Sequence, residues 1–529
     1  MQKYSNPIIK GFNPDPSICR VDDTFYLVTS TFEFFPGVPL YKSKNLVDWE
    51  CIGHCLTRAS QLPLDGCRVS GGVYAPTIRY FDGKLYMVTT NVSAGGNFIV
   101  HSDDMGISWS EPVWIAQGGI DPSLLFADDK VYFVSNEGAN GEKGMHVCEI
   151  NPLTGGKYTE SKLISYGCGG RYPEAPHLYK IHGSYYLMLA EGGTEFGHMV
   201  TIQKSDSPYG PFIPCPHNPI LSHREEESMD IVCTGHGDMV EDAAGNWWMV
   251  ALGVRTITNE NRTLMLHNLG RETFLAPVKW ENGWPIVGNK GRLALEMQAE
   301  LPGGVDAGNN SNNEEKSRLG VATNCSPKTE KKYSLWTGNV LKHELTYIRN
   351  PQTENYKINV EQNLYVLKGT DITLSVNGKS PTFVGIRQKE FEMQAQVCLQ
   401  ASPQREEEKA GVTVFYNNEH HYDIFLTGKD GKWLVGVRKC IYDFEAITVL
   451  REINQNAVEM KIEADHEYYY LSYREKGSDQ PYSLLDKGTT AAMCTEITRN
   501  MTFTGTFIGM FSENIEAQFT DFACNAKLE

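Results

Sequence analysis

A single segment type recurs five times in the first 300 residues, and no other feature of the chain narrows its fold as much. Each copy is a turn carrying Asp, Gly or Lys, followed by an aromatic-rich apolar run. The copies are DDTFYLVTSTF (22–32), FDGKLYMVTTNV (81–92), ADDKVYFVSNE (127–137), IHGSYYLMLAE (181–191) and AAGNWWMVALG (243–253). The runs are strand-like and each follows a hairpin-type turn. A Pro or Gly lies ten residues before each recurring aromatic: Pro16 to Tyr26, Pro76 to Tyr86, Pro122 to Tyr132, Pro176 to Tyr186 and Gly237 to Trp247. The units therefore follow one another at spacings of 60, 46, 54 and 61 residues. A four-stranded antiparallel unit repeated at this period reads as a propeller blade. Five blades fill residues 1–300, and the predicted architecture is all-β: a five-bladed β-propeller followed by a second β domain.

The second domain follows from a change of pattern. Residues 301–332 are rich in Gly, Asn, Ser and charge and read as a linker. From 333 to 529 the period is lost. Short alternating runs such as ENYKINVEQNLYVLKG, DITLSVNG, FEMQAQVCLQ and GVTVFYNN recur with frequent turn signals. This predicts an antiparallel β-sandwich of the jelly-roll or concanavalin type.

In a propeller the innermost strands line a central channel, and equivalent positions face one axis. The residues just before the marker Pro or Gly are Asp15, Ala75, Asp121, Ala175 and His236, with Tyr74 and Glu174 one step further back in the second and fourth units. Register alone thus gathers Asp15, Asp121, Glu174 and His236 around one cavity. An Asp-Pro taken singly is ordinary turn chemistry. Three acids in one register are different, because converging carboxylates are costly unless used. Two can run glycoside hydrolysis, and a third raises its neighbour's pKa by like-charge repulsion. His236 is the candidate metal ligand, and a satisfied polar residue is the commoner role for a lone histidine.

Charge and composition exclude other classes. Lys and Arg number 48 against 65 Asp and Glu, a net charge of −17, which disfavours nucleic acid and anionic membranes but not a neutral sugar. No run approaches the ~18 apolar residues of a membrane-spanning helix. The 13 cysteines are odd in number and scattered, as expected of reduced thiols. The start, MQKYSNPIIKGFNPDPS, shows no basic-then-apolar leader. A cytoplasmic location is therefore expected, or a secreted or periplasmic one if residue 1 is a mature N-terminus.

The motifs GFNPDPSICR, TSTFEFFPGVPLYKSKNLVDW, GGVYAPTIRY, GGIDPSLLF, RYPEAPHLY, TGHGD and LGRETFL together resemble glycoside hydrolase family 43, in its β-xylosidase and α-L-arabinofuranosidase branch. The stretches PTFVGIRQKEFEMQAQV and FTGTFIGMFSENIEAQFTDF resemble the family's sandwich, so the likeness spans nearly the whole chain. It implies an inverting, exo-acting hydrolase that releases terminal α-L-arabinofuranose or β-D-xylose from an oligosaccharide. Asp15 would be the general base, Glu174 the general acid, and Asp121 the residue that tunes and orients the acid. Arg271 would contact the sugar, Phe32 would stack near it, and His236 matches the family's central histidine. A loop of the sandwich would close the pocket through Phe503 or Phe507, with Phe507 taken as the substrate-binding residue. No cofactor is required, and a calcium ion near His236 is compatible with the resemblance.

One position departs from the family. Tyr74 in GGVYAP stands where Trp is usual, which implies a pocket wall that is wider or more polar and tilts the reading toward arabinofuranosidase. Two rivals stand beside this one. A retaining fructosidase-type enzyme is disfavoured because FNPDPS and IDPS do not match that group's motifs. A non-catalytic carbohydrate-binding propeller is disfavoured by the three acids. A third possibility, permitted by the long linker, is that the sandwich is an independent binding module, which a large fixed interface with the propeller would contradict.

Overall fold

The computed structural model describes residues 1–225, 230–257, 266–303 and 343–526. The expected linker, from residue 304 onward, lies outside the described residues.

Five antiparallel sheets form the propeller, one per sequence unit. The innermost strands are Ser17–Val21, Thr77–Phe81, Ser123–Ala127, Glu174–Ile181 and Ile231–Glu241. Each pairs with the aromatic strand that follows: Thr24–Val28, Lys84–Asn91, Lys130–Glu137, Ser184–Glu191 and Trp247–Arg255. In the first four blades two residues join these strands. In blades two to four both have positive φ (Asp82-Gly83, Asp128-Asp129, His182-Gly183), the turn whose twist matches a β-hairpin. That is why the turn chemistry and the aromatic run keep one spacing in the sequence. The fifth hairpin is longer, with Glu241 paired to Trp247, and here Trp248 rather than Trp247 is fully buried. Its indole N–H donates to Asp242 Oδ2 at 3.0 Å. Tyr26, Tyr86, Tyr132 and Tyr186 are all buried, because each aromatic strand packs between neighbouring blades.

The ring closes without a shared blade. The strand Gln2–Ser5 pairs with Glu296–Ala299 outside the fifth blade, and Tyr4 and Asn6 donate to Leu275 O from there. On the axis, Asp238 of blade five accepts from Ser17 Oγ of blade one at 2.6 Å, from Arg79 of blade two at 2.7 and 3.1 Å, and from Tyr179 OH of blade four at 2.6 Å. Four blades are thereby tied to one buried carboxylate. Burial pushes the Asp238 carboxyl up, but Arg79 and the hydrogen bonds outweigh it and hold it well below the usual range.

The sandwich has a seven-stranded and a six-stranded sheet, antiparallel throughout. Alternating residues such as Val397, Leu399, Val412, Val414, Ile424 and Leu426 form the core between them. One expected strand is absent: DITLSVNG is a loop. Side chains take over its backbone groups. Leu374 N–H donates to Glu513, and Asn418 donates to Leu374 O and Val376 O.

The two domains are locked together. Phe34–Phe35 of the propeller pairs with Tyr347–Ile348. Arg349, fully buried, donates to Cys67 O at 2.6 Å and Lys379 O at 2.8 Å. Asn268 donates to Tyr469 OH at 2.6 Å, and Arg255 pairs with Glu390 at 3.0 Å. This fixed contact contradicts the sandwich as an independently moving module.

Candidate active site

The innermost strands end at the channel in an unusual backbone. Asp15, Asp121, Ala175 and His236 hold φ values of 53°, 53°, 50° and 46°, the left-handed region that non-glycine residues rarely enter. Ala75 of blade two is the exception. In blade four the pairing slips between Glu174 and His177, and in blade five at His236. These bulges re-aim side chains at a channel mouth. They explain why blade four contributes Glu174, one residue earlier than the aspartates of blades one and three.

The result is a pocket of about 400 Å³, counting its open mouth, lined by Asp15, Phe32, Tyr74, Ala75, Ile120, Asp121, Glu174, Thr194, His236, Arg271 and Phe503. Asp15 is the most tightly held acid. It accepts from Arg271 Nη1 at 3.0 Å, from Arg271 Nη2 at 3.4 Å and from Ser30 Oγ at 2.6 Å, and His236 Nδ1 lies 3.6 Å away. Burial alone would raise its pKa. Arg271, His236 and Ser30 together reverse that, so Asp15 stays ionised below the usual carboxylate range.

Asp121 and Glu174 behave oppositely. Burial raises both, and repulsion adds to it: Glu174 and Asp15 act on Asp121, and Asp15 acts on Glu174. Glu174 is pushed up to about 7, and between them the pair keeps a proton near neutral pH. The pocket therefore holds a fixed, ionised carboxylate together with a carboxyl pair that has a proton to give. That is the equipment of paired acid and base catalysis at one bond.

Arg271 is clamped. Its guanidinium carbon lies 5.6 Å from the Phe32 ring centre and 5.4 Å from that of Phe503, and Nη1 also donates to Thr194 Oγ1 at 2.9 Å. The sandwich supplies Phe503 through the stretch before strand Phe507–Glu513. Phe503 O accepts from Arg271 Nη2, and Phe503 N–H donates to Ser70 Oγ at 2.9 Å.

Phe507, expected at the pocket, is corrected to a core position. It is fully buried, stacked on Phe34 with ring centres 4.2 Å apart and 6.0 Å from Phe12. It begins a strand packed on the propeller, whereas Phe503 lies four residues earlier, outside that strand, and reaches the pocket. The Tyr74 hydroxyl donates to Ser70 O at 3.2 Å, so it points into the wall and adds no free polar group to the pocket.

Burial lowers the His236 pKa, against the opposing pull of Asp15. Its nearest carboxylate, Asp15, is already engaged by Arg271 and Ser30. Calcium prefers six to eight oxygen ligands, so an ion here would take most of them from water. Among the described residues, three metal-ligating side chains come together only at His421, Cys440 and Glu445 of the sandwich. There His421 is pushed up to about 9, because Asp423 at 3.0 Å outweighs burial.

Ser30, Ile120 and Thr194 were not legible as site residues. Thr194 lies in a loop that does not share the blade repeat, Ile120 occupies the register position of Tyr74 and Glu174 but carries no reactive group, and Ser30 acts through Asp15.

Comparisons with known proteins give the chain's family. The model of glycosyl hydrolases family 43 matches residues 4–285, and that of the β-xylosidase C-terminal concanavalin A-like domain matches residues 336–524. A non-reducing end α-L-arabinofuranosidase from Bacteroides ovatus is 37% identical over 524 residues, 96% of this chain and 91% of that one. A xylosidase/arabinosidase from Butyrivibrio fibrisolvens is 38% identical over 87% of each chain. Among solved structures, a xyloglucan PUL protein of the family from Bacteroides ovatus superposes with a TM-score of 0.86 at 36% identity, over 99% of this chain and 100% of the other. A xylan β-1,4-xylosidase from Bacillus halodurans gives 0.86 at 26% identity and the same coverage. With one family model spanning over half the chain and relatives aligned along nearly all of it, the protein belongs to glycoside hydrolase family 43.

Proposed function

We propose that the protein is an inverting α-L-arabinofuranosidase that removes a terminal arabinofuranosyl unit from short arabinoxylan- or arabinan-type oligosaccharides. Glu174 donates its proton to the glycosidic oxygen as the bond to the anomeric carbon breaks. Asp15 takes a proton from a water that attacks the same carbon from the opposite face. The product leaves with inverted configuration. Asp121 keeps the proton on the Asp121–Glu174 pair and positions Glu174. Arg271 binds sugar hydroxyls and holds Asp15 ionised, and Phe32, Tyr74 and Phe503 form the apolar wall. The reaction needs no organic cofactor.

The observation that carries this reading is the split in protonation across one pocket, with Asp15 held low and Glu174 raised to about 7. Arabinose is favoured over xylose by the full-length likeness to the Bacteroides ovatus α-L-arabinofuranosidase. The Butyrivibrio fibrisolvens relative, described as xylosidase/arabinosidase, favours a second reading with β-D-xylose also released. Incubation with arabinoxylo-oligosaccharides and identification of the freed monosaccharide separates the two. Arabinose alone supports the proposal, and xylose supports the second reading. Release that survives Asp15→Asn contradicts the assignment of the base.

A further inference from the structure

Two loops, 166–173 and 192–197, run into the pocket through Glu174 and Thr194, and they expose aromatic rings that no core packing explains. Tyr172 is 66% exposed and Phe196 37%. Tyr172 lies two residues before Glu174, and Phe196 two after the pocket residue Thr194. The ring edge of Tyr172 would lie 3.4 Å from a Cβ placed on Gly193, so the two loops touch.

The loop carrying Tyr172 is built to be rigid. The buried Glu191 carboxylate accepts from Cys168 N–H at 2.7 Å and Gly170 N–H at 2.5 Å. Gly192 N–H donates to Arg171 O at 2.8 Å, and Arg171 Nε donates back to Gly192 O at 3.0 Å. Arg171 also pairs with Glu195 at 2.8 Å, and its guanidinium carbon lies 5.5 Å from the Tyr172 ring centre. Tyr172 itself sits at φ 52°, an unfavourable conformation for an aromatic residue. A strained, locked backbone thus presents a ring held by a cation and open to solvent two residues before the proton donor. Rigid aromatic faces of this kind bind the apolar face of a sugar ring.

We propose that Tyr172, supported by Arg171 and joined by Phe196, is the stacking platform for the sugar on the leaving-group side of the scissile bond. The inference rests on Glu174 being the proton donor, since the departing sugar must lie against that residue. Its ligand is a pyranosyl or furanosyl residue of the oligosaccharide main chain.

The test compares two substrates of the full-length enzyme: an arabinofuranosyl-substituted xylo-oligosaccharide, and the matching pentosyl fluoride, whose leaving group cannot reach the platform. Tyr172→Asn removes the ring and suits the left-handed backbone. It is expected to lower kcat/KM about 5-fold or more on the oligosaccharide and to leave the fluoride unchanged, while Tyr172→Trp keeps wild-type rates on both. Equal losses on both substrates, or none on the oligosaccharide, would overturn the platform. Wild-type protein that cleaves neither substrate would overturn the hydrolase reading beneath it.

Discussion

Arg271 and Asp15 stand 256 residues apart in the chain and meet as a two-point ion pair, with Nη1 to Oδ1 at 3.0 Å and Nη2 to Oδ2 at 3.4 Å. The pair closes the ring of blades at the site itself, joining blade five to blade one. It also offsets the burial of Asp15. Arg271→Lys keeps a charge but loses the fork and the stacking between Phe32 and Phe503. Asp15 should then titrate at higher pH, so the acidic limb of kcat/KM moves up and activity falls at least ~10-fold. A pH–rate profile on an activated aryl pentoside checks this. An unmoved acidic limb would show that Arg271 does not set the Asp15 pKa.

The basic limb belongs to the other two acids. With Glu174 raised to about 7, activity should decline as pH rises through neutrality and the shared proton is lost. Asp121→Asn removes one of the two charges, so that limb should move to lower pH. Glu174→Gln should cost ~10²–10⁴-fold on sugar leaving groups and much less on activated aryl glycosides, which need little acid assistance. A loss independent of leaving group would deny Glu174 the acid role.

Phe503 makes the pocket a product of both domains. Phe503→Ala keeps the backbone contacts to Arg271 and Ser70 but opens the wall beside Phe32, 5.5 Å away. Losing one such aromatic contact is worth about 1 kcal/mol. KM should rise several-fold, with the thermal midpoint nearly unchanged because the ring is partly exposed. Unchanged KM would place the sugar elsewhere.

Glu33 gives the domain junction a pH dependence of its own. It is buried, accepts from Ser70 N–H at 3.0 Å, and is pushed up to about 7 by burial, which outweighs Arg349. The folded state then holds a proton that the unfolded chain releases near its ordinary value of 4.5. Stability falls as pH rises between those values, by at most about 3 kcal/mol, and levels off above 7. Glu33→Gln cannot ionise, so its advantage in thermal midpoint over wild type should grow from pH 5 to pH 8. A constant difference would refute the assignment.

The propeller was legible because its turns and aromatic strands obey one spacing, set by two-residue hairpins that only a few residue types permit. The same register gathered Asp15, Asp121, Glu174 and His236, since equivalent strand ends must face one axis. Arg271 and Phe32 came from motif resemblance rather than register, and Tyr74 stood in register with Glu174 but took its place at the substrate from the resemblance. Phe507 was misplaced because both Phe503 and Phe507 are aromatics near one strand start, and only the domain packing separates wall from core. Asp238 lay unremarked in TGHGD because its role is collective: it meets Ser17, Arg79 and Tyr179 from three other blades. Thr194 and Tyr172 sit in loops whose length varies from blade to blade, where no periodic signal exists.

The most direct test of the account follows the anomer released first. Proton NMR during early hydrolysis of an aryl α-L-arabinofuranoside should show β-L-arabinose before mutarotation, the mark of water delivered by Asp15 opposite Glu174. α-L-Arabinose appearing first would mean a covalent, retaining route and would contradict the assigned roles of both carboxyls.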